Sequence, residues 1–149
     1  MNRPDYYAQL CPGATAEELD RFEGKFELKL PGDFRKLYQW RNGRNGLASL
    51  QYNRMFATLH DISSSKETLD GMIGSDFDDP KWWRRGWIPF LPNVGGDHVC
   101  LDLTAEDGGT PGQLRIFYHD TEIRKIAHPS LEAWLEDLVQ SMETGSLKV

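Results

Sequence analysis

Apolar positions along the chain change their period near its middle. Leu19, Phe22 and Phe26 recur at three- and four-residue spacing behind Thr15-Ala16-Glu17-Glu18. A Thr-x-x-Glu start lets a hydroxyl and a carboxylate each satisfy an orphan backbone donor of a first helical turn. The spacing predicts a helix to about Phe26 with one apolar face, after a loose N-terminal stretch. Leu30-Pro31-Gly32-Asp33 breaks that helix and opens another, because Pro31 cannot continue the first and Asp33 can accept from early backbone donors. Phe34, Leu37, Tyr38 and Arg41 form its inward stripe, and Asn42-Gly43, both tolerant of left-handed backbone, ends it. Apolar residues then thin out, leaving 55–57 as a strand, and Asp61 or one of Ser63, Ser64 and Ser65 caps a third helix reaching about Ile73. Residues 74–80, with a Gly, a Pro and three Asp, read as a surface loop.

From Trp87 onward the pattern becomes that of strands. A Pro-bounded apolar run, 88–91, reaches Gly95-Gly96-Asp97 and then 98–103, where Val99, Leu101 and Leu103 share one face. The turn-rich segment 107–112 leads to a returning strand over 114–119, and 122–127 gives a further short strand. Ser130 caps a last helix carrying Leu131, Trp134, Leu135, Leu138 and Val139 on one stripe, with Glu132 at the positive end of its dipole. Helices, then sequential strands, then a helix specify an α+β fold: one domain over 1–149, core about 15–140, with a mainly antiparallel sheet carrying N-terminal helices and a C-terminal helix.

A chain of 149 residues can bury roughly 70% of its unfolded surface without a disulfide or metal staple. Its formal charge of −6 and pI near 5.2 exclude a nucleic-acid binder, which needs a surplus of Lys and Arg on some face, and suit a basic partner or plain solubility. Cys11 and Cys100 follow no zinc or redox spacing and no charged-then-apolar leader is present, so a reducing cytoplasm is expected. No apolar run approaches the roughly 20 residues needed to cross a bilayer.

Four groupings invite chemistry. His60-Asp61, Asp97-His98 and His119-Asp120 each place an imidazole beside a carboxylate, but neighbours on a strand point to opposite faces, so one site would need a member from each pair. Asp97 and Asp102 flank one strand on opposite faces and on the order of 16 Å apart, beyond the separation glycosidases use. Asp97 fits better as a brace for the Gly-Gly turn. Cys100 lies between His98 and Asp102 at alternate positions about 7 Å apart, too far for a nucleophile and its base. Gly95-Gly96 and Gly108-Gly109 lack the Lys-Ser/Thr of a phosphate loop. No catalytic set, metal or cofactor is expected.

The order of motifs resembles the SMI1/KNR4 family, or SUKH superfamily, over roughly 15–138. It is carried by Leu30-Pro31-Gly32-Asp33-Phe34, Asn42-Gly43, Trp87-Ile88-Pro89-Phe90, Gly95-Gly96-Asp97, Leu101-Asp102, Gly112-Gln113, His119-Asp120 and Ser130-Leu131-Glu132-Ala133-Trp134-Leu135. The resemblance implies a non-enzymatic α+β domain that binds proteins. Bacterial members look like immunity proteins that neutralise polymorphic toxins, often nucleases, by occlusion. Fungal members regulate cell-wall synthesis through protein contacts and usually carry extra disordered regions, so the lack of such a region here leads us to expect the compact immunity type, with a basic toxin domain as partner. A regulatory or scaffold module is the alternative, and a small hydrolase a third. Asp76, Asp78, Asp79, Trp82 and Trp83 form the expected contact surface, since aromatic anchors ringed by charge suit binding hot spots. The competing reading packs both Trp residues into the core and leaves the acids solvated. Asp97 and Asp102 are the second expected contact set.

Overall fold

The computed structural model describes residues 3–149. Its elements run α1 (Pro4–Tyr7), β1 (Leu10–Pro12), α2 (Ala16–Phe26), α3 (Gly32–Trp40), β2 (Arg41–Arg44), α4 (Leu59–Gly71), β3 (Trp87–Pro92), β4 (His98–Asp102), β5 (Gln113–Phe117), β6 (Ile126–His128) and α5 (Leu131–Thr144). Strands β3-β4-β5-β6 form an antiparallel meander, and β1 pairs with β2 in a separate two-stranded sheet. The α+β reading stands.

Alternation along the strands divides the interior in two. Ile88, Val99, Leu101 and Leu114 face a core shared with Leu19 of α2, Phe34 and Tyr38 of α3, Ile62 of α4 and Trp134 of α5. Trp87, Cys100 and Phe117 face a second cluster with Leu69, Phe77 and Trp83. Edge-to-face rings join the layers: Phe90 meets Phe34 at 5.5 Å and Trp134 at 5.6 Å, and Trp83 meets Trp87 and Phe117 at 5.4 Å. Such pairs contribute about 0.5–1.5 kcal/mol each beyond area burial.

Three of the four expected helix-start acceptors are in place, Asp33 among them: its Oδ1 accepts from Phe34 N at 2.7 Å inside a first turn whose N-cap is Pro31. Thr15 Oγ1 accepts from Glu18 N at 3.1 Å, and Ser130 Oγ from Ala133 N at 3.0 Å. The cap of α4 is Thr58, whose Oγ1 accepts from Asp61 N, rather than Asp61 or Ser63–Ser65. The hydroxyl three residues before Asp61 satisfies a first-turn donor and lets Asp61 serve the helix dipole.

Four expectations change. The loose start contains α1, opened by Pro4 in the first helical turn with Asp5 beside it. Helix α3 stops at Trp40, because Arg41 is already extended (φ −145°) and begins β2. Gly43 therefore does not close a helix: it sits at φ +67° inside β2, and a Cβ there would lie 2.4 Å from the Ala57 carbonyl group. Residues 55–57 make half a strand. Met55 and Ala57 N–H groups donate to the carbonyls of Pro92 and Phe90, but Pro92 has no N–H to return, and a bulge falls between Pro89 and Leu91. Finally, β6 is confined to Ile126–His128 because Arg124 folds back, its guanidinium donating to the carbonyls of Trp82, Thr121 and Ile123.

Candidate protein-docking surfaces

Residues 72–83 cap the second cluster, and the structure splits the expected contact set. Asp76, Asp78 and Asp79 are exposed as expected. Trp83 is a correction: it is only 1% exposed, packed against Trp87 and Phe117, with Nε1–H donating to Asp70 Oδ1 at 2.8 Å. Asp70 also holds Lys66 at 3.2 Å, and Lys66 Nζ donates to the Arg85 carbonyl. Burial lowers the Lys66 pKa and the Asp70 carboxylate opposes that shift. Trp82 is half-buried: it stacks on Phe77 with rings 6.0 Å apart and 4° from parallel, and the Arg124 guanidinium lies 5.1 Å from its ring centre. Both indoles are thus largely satisfied within the chain.

The second set divides the same way. Asp102 is 0% exposed and cannot meet a partner, which corrects its placement as a contact. Its Oδ2 accepts from Arg115 Nε at 3.1 Å and Gln113 Nε2 at 3.0 Å, and its Oδ1 from Thr104 and Ala105 N. Arg115 goes on to the carbonyls of Gly108 and Arg124. The β4–β5 connection is therefore pinned by one buried ion pair, as alternation predicts once both faces of the sheet are covered. Asp97 braces its turn: Asn93 Oδ1 accepts from the N–H groups of Gly95 and Asp97, while Asp97 Oδ1 accepts from His119 N and sits 2.8 Å from His119 Nδ1. Burial works against its ionisation, but the hydrogen bonds from His119 and Asn93 hold its carboxyl down at about 2.

The candidate chemistry is taken apart by the same geometry. Cys100 is fully buried, and burial pushes its thiol far above the usual range. His98 is buried and held neutral, its pKa lowered to about 4 by burial and then by Arg54. Asp97, His119 and Asp120 do approach within 4.8 Å of one another, and both members of the pair His119-Asp120 take part because they lie in a turn rather than a strand, but Asp97 Oδ1 is already engaged twice. His98 and His60 take no part in this cluster. Both cysteines are free thiols. Among the described residues no helix is long and apolar enough to cross a membrane.

A second surface escaped the sequence reading. Tyr7 and Trp40 are 52% and 51% exposed, with ring centres 6.4 Å apart. Arg41 donates to Tyr7 Oη at 2.9 Å and its guanidinium lies 5.2 and 5.6 Å from the Tyr7 and Trp40 ring centres. Across from them on α5, Val139 is 50% exposed. It lies at the margin of the stripe it was expected to bury with Leu131 and Trp134. Between α1, α3 and α5 runs an apolar groove of about 480 Å³, whose walls include Leu37, Leu135 and Met142. Helical phase held the available signal: Trp40 lies off the stripe made by Phe34, Leu37 and Tyr38, so an aromatic there points away from the core.

The chain is 25% identical, over 97% of its length and 34% of the other protein, to the cell wall biosynthesis/cell cycle regulator smi1 of Schizosaccharomyces pombe. It is 21% identical to a glucan synthesis regulatory protein of Neurospora crassa, over 97% of this chain and 36% of that protein. With KNR4/SMI1 homolog 2 of Debaryomyces hansenii it shares 30% identity over 47% of this chain and 12% of that one. It thus spans about a third or less of the length of these relatives. Residues 13–137, most of the fold described above, match the SMI1 / KNR4 family (SUKH-1), and the chain belongs to that family.

Proposed function

We propose that the chain acts by binding another protein, with no chemistry of its own, and that the contact serves regulation. The observation that carries this reading is the half-exposed Tyr7–Trp40 pair above an apolar groove, the composition and shape of an interface anchor. The names of the relatives support regulation of cell-wall or glucan synthesis as the setting. The test is affinity purification of the tagged chain from its source cells. A stoichiometric partner retained by the unaltered chain and lost on Trp40→Ala is expected. Absence of any stoichiometric partner contradicts the reading, as does a hydrolase activity abolished by Asp97→Asn or Cys100→Ser.

A second reading, neutralisation of a basic toxin domain by occlusion, is favoured by the three exposed carboxylates of Asp76, Asp78 and Asp79, none of them in an ion pair among the described residues. Co-expression with toxin domains encoded beside the gene tests it. Protection that disappears when all three Asp become Asn supports it, and absence of protection removes it.

A further inference from the structure

We infer that the groove between α3 and α5 receives an amphipathic helix of the partner protein, with its apolar stripe on Leu135 and Val139 and a cationic flank along α5. This rests on the reading that the Tyr7–Trp40 face is where a protein docks. The charge distribution commits the occupant. Asp33, Glu132, Glu136 and Glu143 line a trough that shares Leu135 and Val139 with the apolar groove, so the carboxylates form one bank of the same channel. None of the four is in an ion pair among the described residues. Helix α5 carries no Lys or Arg at all. Glu143 lies in its last turn, where the helix dipole is negative and a carboxylate is unfavourable. A partner cation there relieves a repulsion that the chain leaves unanswered.

The opposite bank is different. Arg41 lies against the Tyr7 and Trp40 rings that line the groove and Arg3 lines it beside them, so its α1 end carries cations while its α5 edge carries carboxylates, which fixes how a docked helix is rotated about its axis. Its Lys and Arg residues face α5, and its neutral or acidic side faces Arg41. An extended peptide fits less well. The strand that borders the groove, β1, is three residues long and ends in Pro12, which has no N–H for a new ladder. Helix-in-groove binding instead needs apolar side chains at i, i+3 or i+4, and i+7, which an apolar channel between helices accepts.

The experiment pans a displayed library of peptides of about 16 residues, roughly 24 Å as a helix, on the full chain and measures the enriched peptides by fluorescence polarisation. The expected winners become helical on binding, show apolar residues at that spacing and carry Lys or Arg along one flank. Trp40→Ala weakens them by about tenfold or more. The double variant Glu136→Lys with Glu143→Lys, both on the exposed face of α5, weakens them comparably and strengthens versions whose flank is changed to Glu, an effect misfolding does not produce. Extended or acidic winners, winners indifferent to both changes, or no enrichment overturn the inference. So does a self-associated chain that Trp40→Ala dissociates, which assigns the groove to a second copy. If affinity purification returns a stoichiometric partner indifferent to both variants, protein binding survives and only this assignment falls; with no partner at all, the parent reading falls.

Discussion

Two aromatic regions of this molecule differ in what answers them. Around Trp82 and Trp83 the two rings and the buried charges meet groups of the same chain: the Trp83 indole N–H meets Asp70, the Trp82 ring is held between Phe77 and Arg124, and Asp102 behind the same layer meets Arg115, while Asp76, Asp78 and Asp79 stay exposed. At the Tyr7–Trp40 groove the rings are half exposed, and the carboxylates of the neighbouring bank are in no ion pair among the described residues. Acid next to tryptophan in the sequence therefore marked a place the fold closes on itself, and the open surface came from residues distant in sequence. An internal partner converts a binding-like composition into a structural one.

The contrast is broken most forcefully by Trp83→Ala. That change empties a fully buried aromatic site and leaves Asp70 with Lys66 alone, and should cost about 3–5 kcal/mol of stability, read from urea midpoints. Trp40→Ala should cost under about 1 kcal/mol, as expected of exposed positions. Equal losses at the two sites would erase the distinction. Asp102→Asn leaves the Arg115 charge buried without its counter-ion and should cost about 3 kcal/mol. A silent substitution there would mean the buried pair does not hold the β4–β5 connection.

Acid sharpens the comparison. His98 has its folded pKa depressed to about 4, so below its unfolded value near 6.5 the unfolded chain takes up a proton that the folded chain refuses. Stability contributed by the neutral imidazole is present above pH 6.5 and is lost as pH falls towards 4, by about 2–3 kcal/mol. His98→Leu should flatten that limb in urea midpoints taken between pH 4 and 7, and an unchanged slope would contradict the burial argument. The Asp97–His119 pair has the opposite upper limit. His119 is raised, chiefly by its hydrogen bond to Asp97, so its contribution is full below pH 6.5 and fades as pH rises through the folded value. Asp97, lowered to about 2, contributes above about pH 3.8 and is lost as pH falls through 2. The pair therefore acts most strongly between those limits, and Asp97→Asn should remove a small pH dependence that titration of the His119 ring by NMR follows directly.

Much of the frame was legible in residues that act locally. Thr15 and Ser130 cap the helices they precede, Val99 and Leu101 alternate against Cys100, and the order of these signals carried the family and the α+β class. Apart from the cap of α4, what failed depended on groups far apart in sequence. Thr58 outcompeted Asp61 for the cap, the missing N–H of Pro92 kept 55–57 from becoming a full strand, and Asp102 looked exposed until Arg115 was seen across the ladder. The acidic loop was legible as a loop, and its carboxylates are indeed exposed, but the burial of Trp83 depended on α4. The groove joins α1, α3 and α5, three segments whose nearness no local pattern encodes.

The central claim is that the α3–α5 groove, and not the 76–83 loop, carries the partner. The direct measurement compares dissociation constants of the purified partner for Trp40→Ala and for the triple variant Asp76→Asn, Asp78→Asn, Asp79→Asn at physiological salt. The account predicts a loss of about tenfold or more for Trp40→Ala and under about threefold for the triple variant, whose exposed charges act mainly on association rate. The reverse order would contradict it.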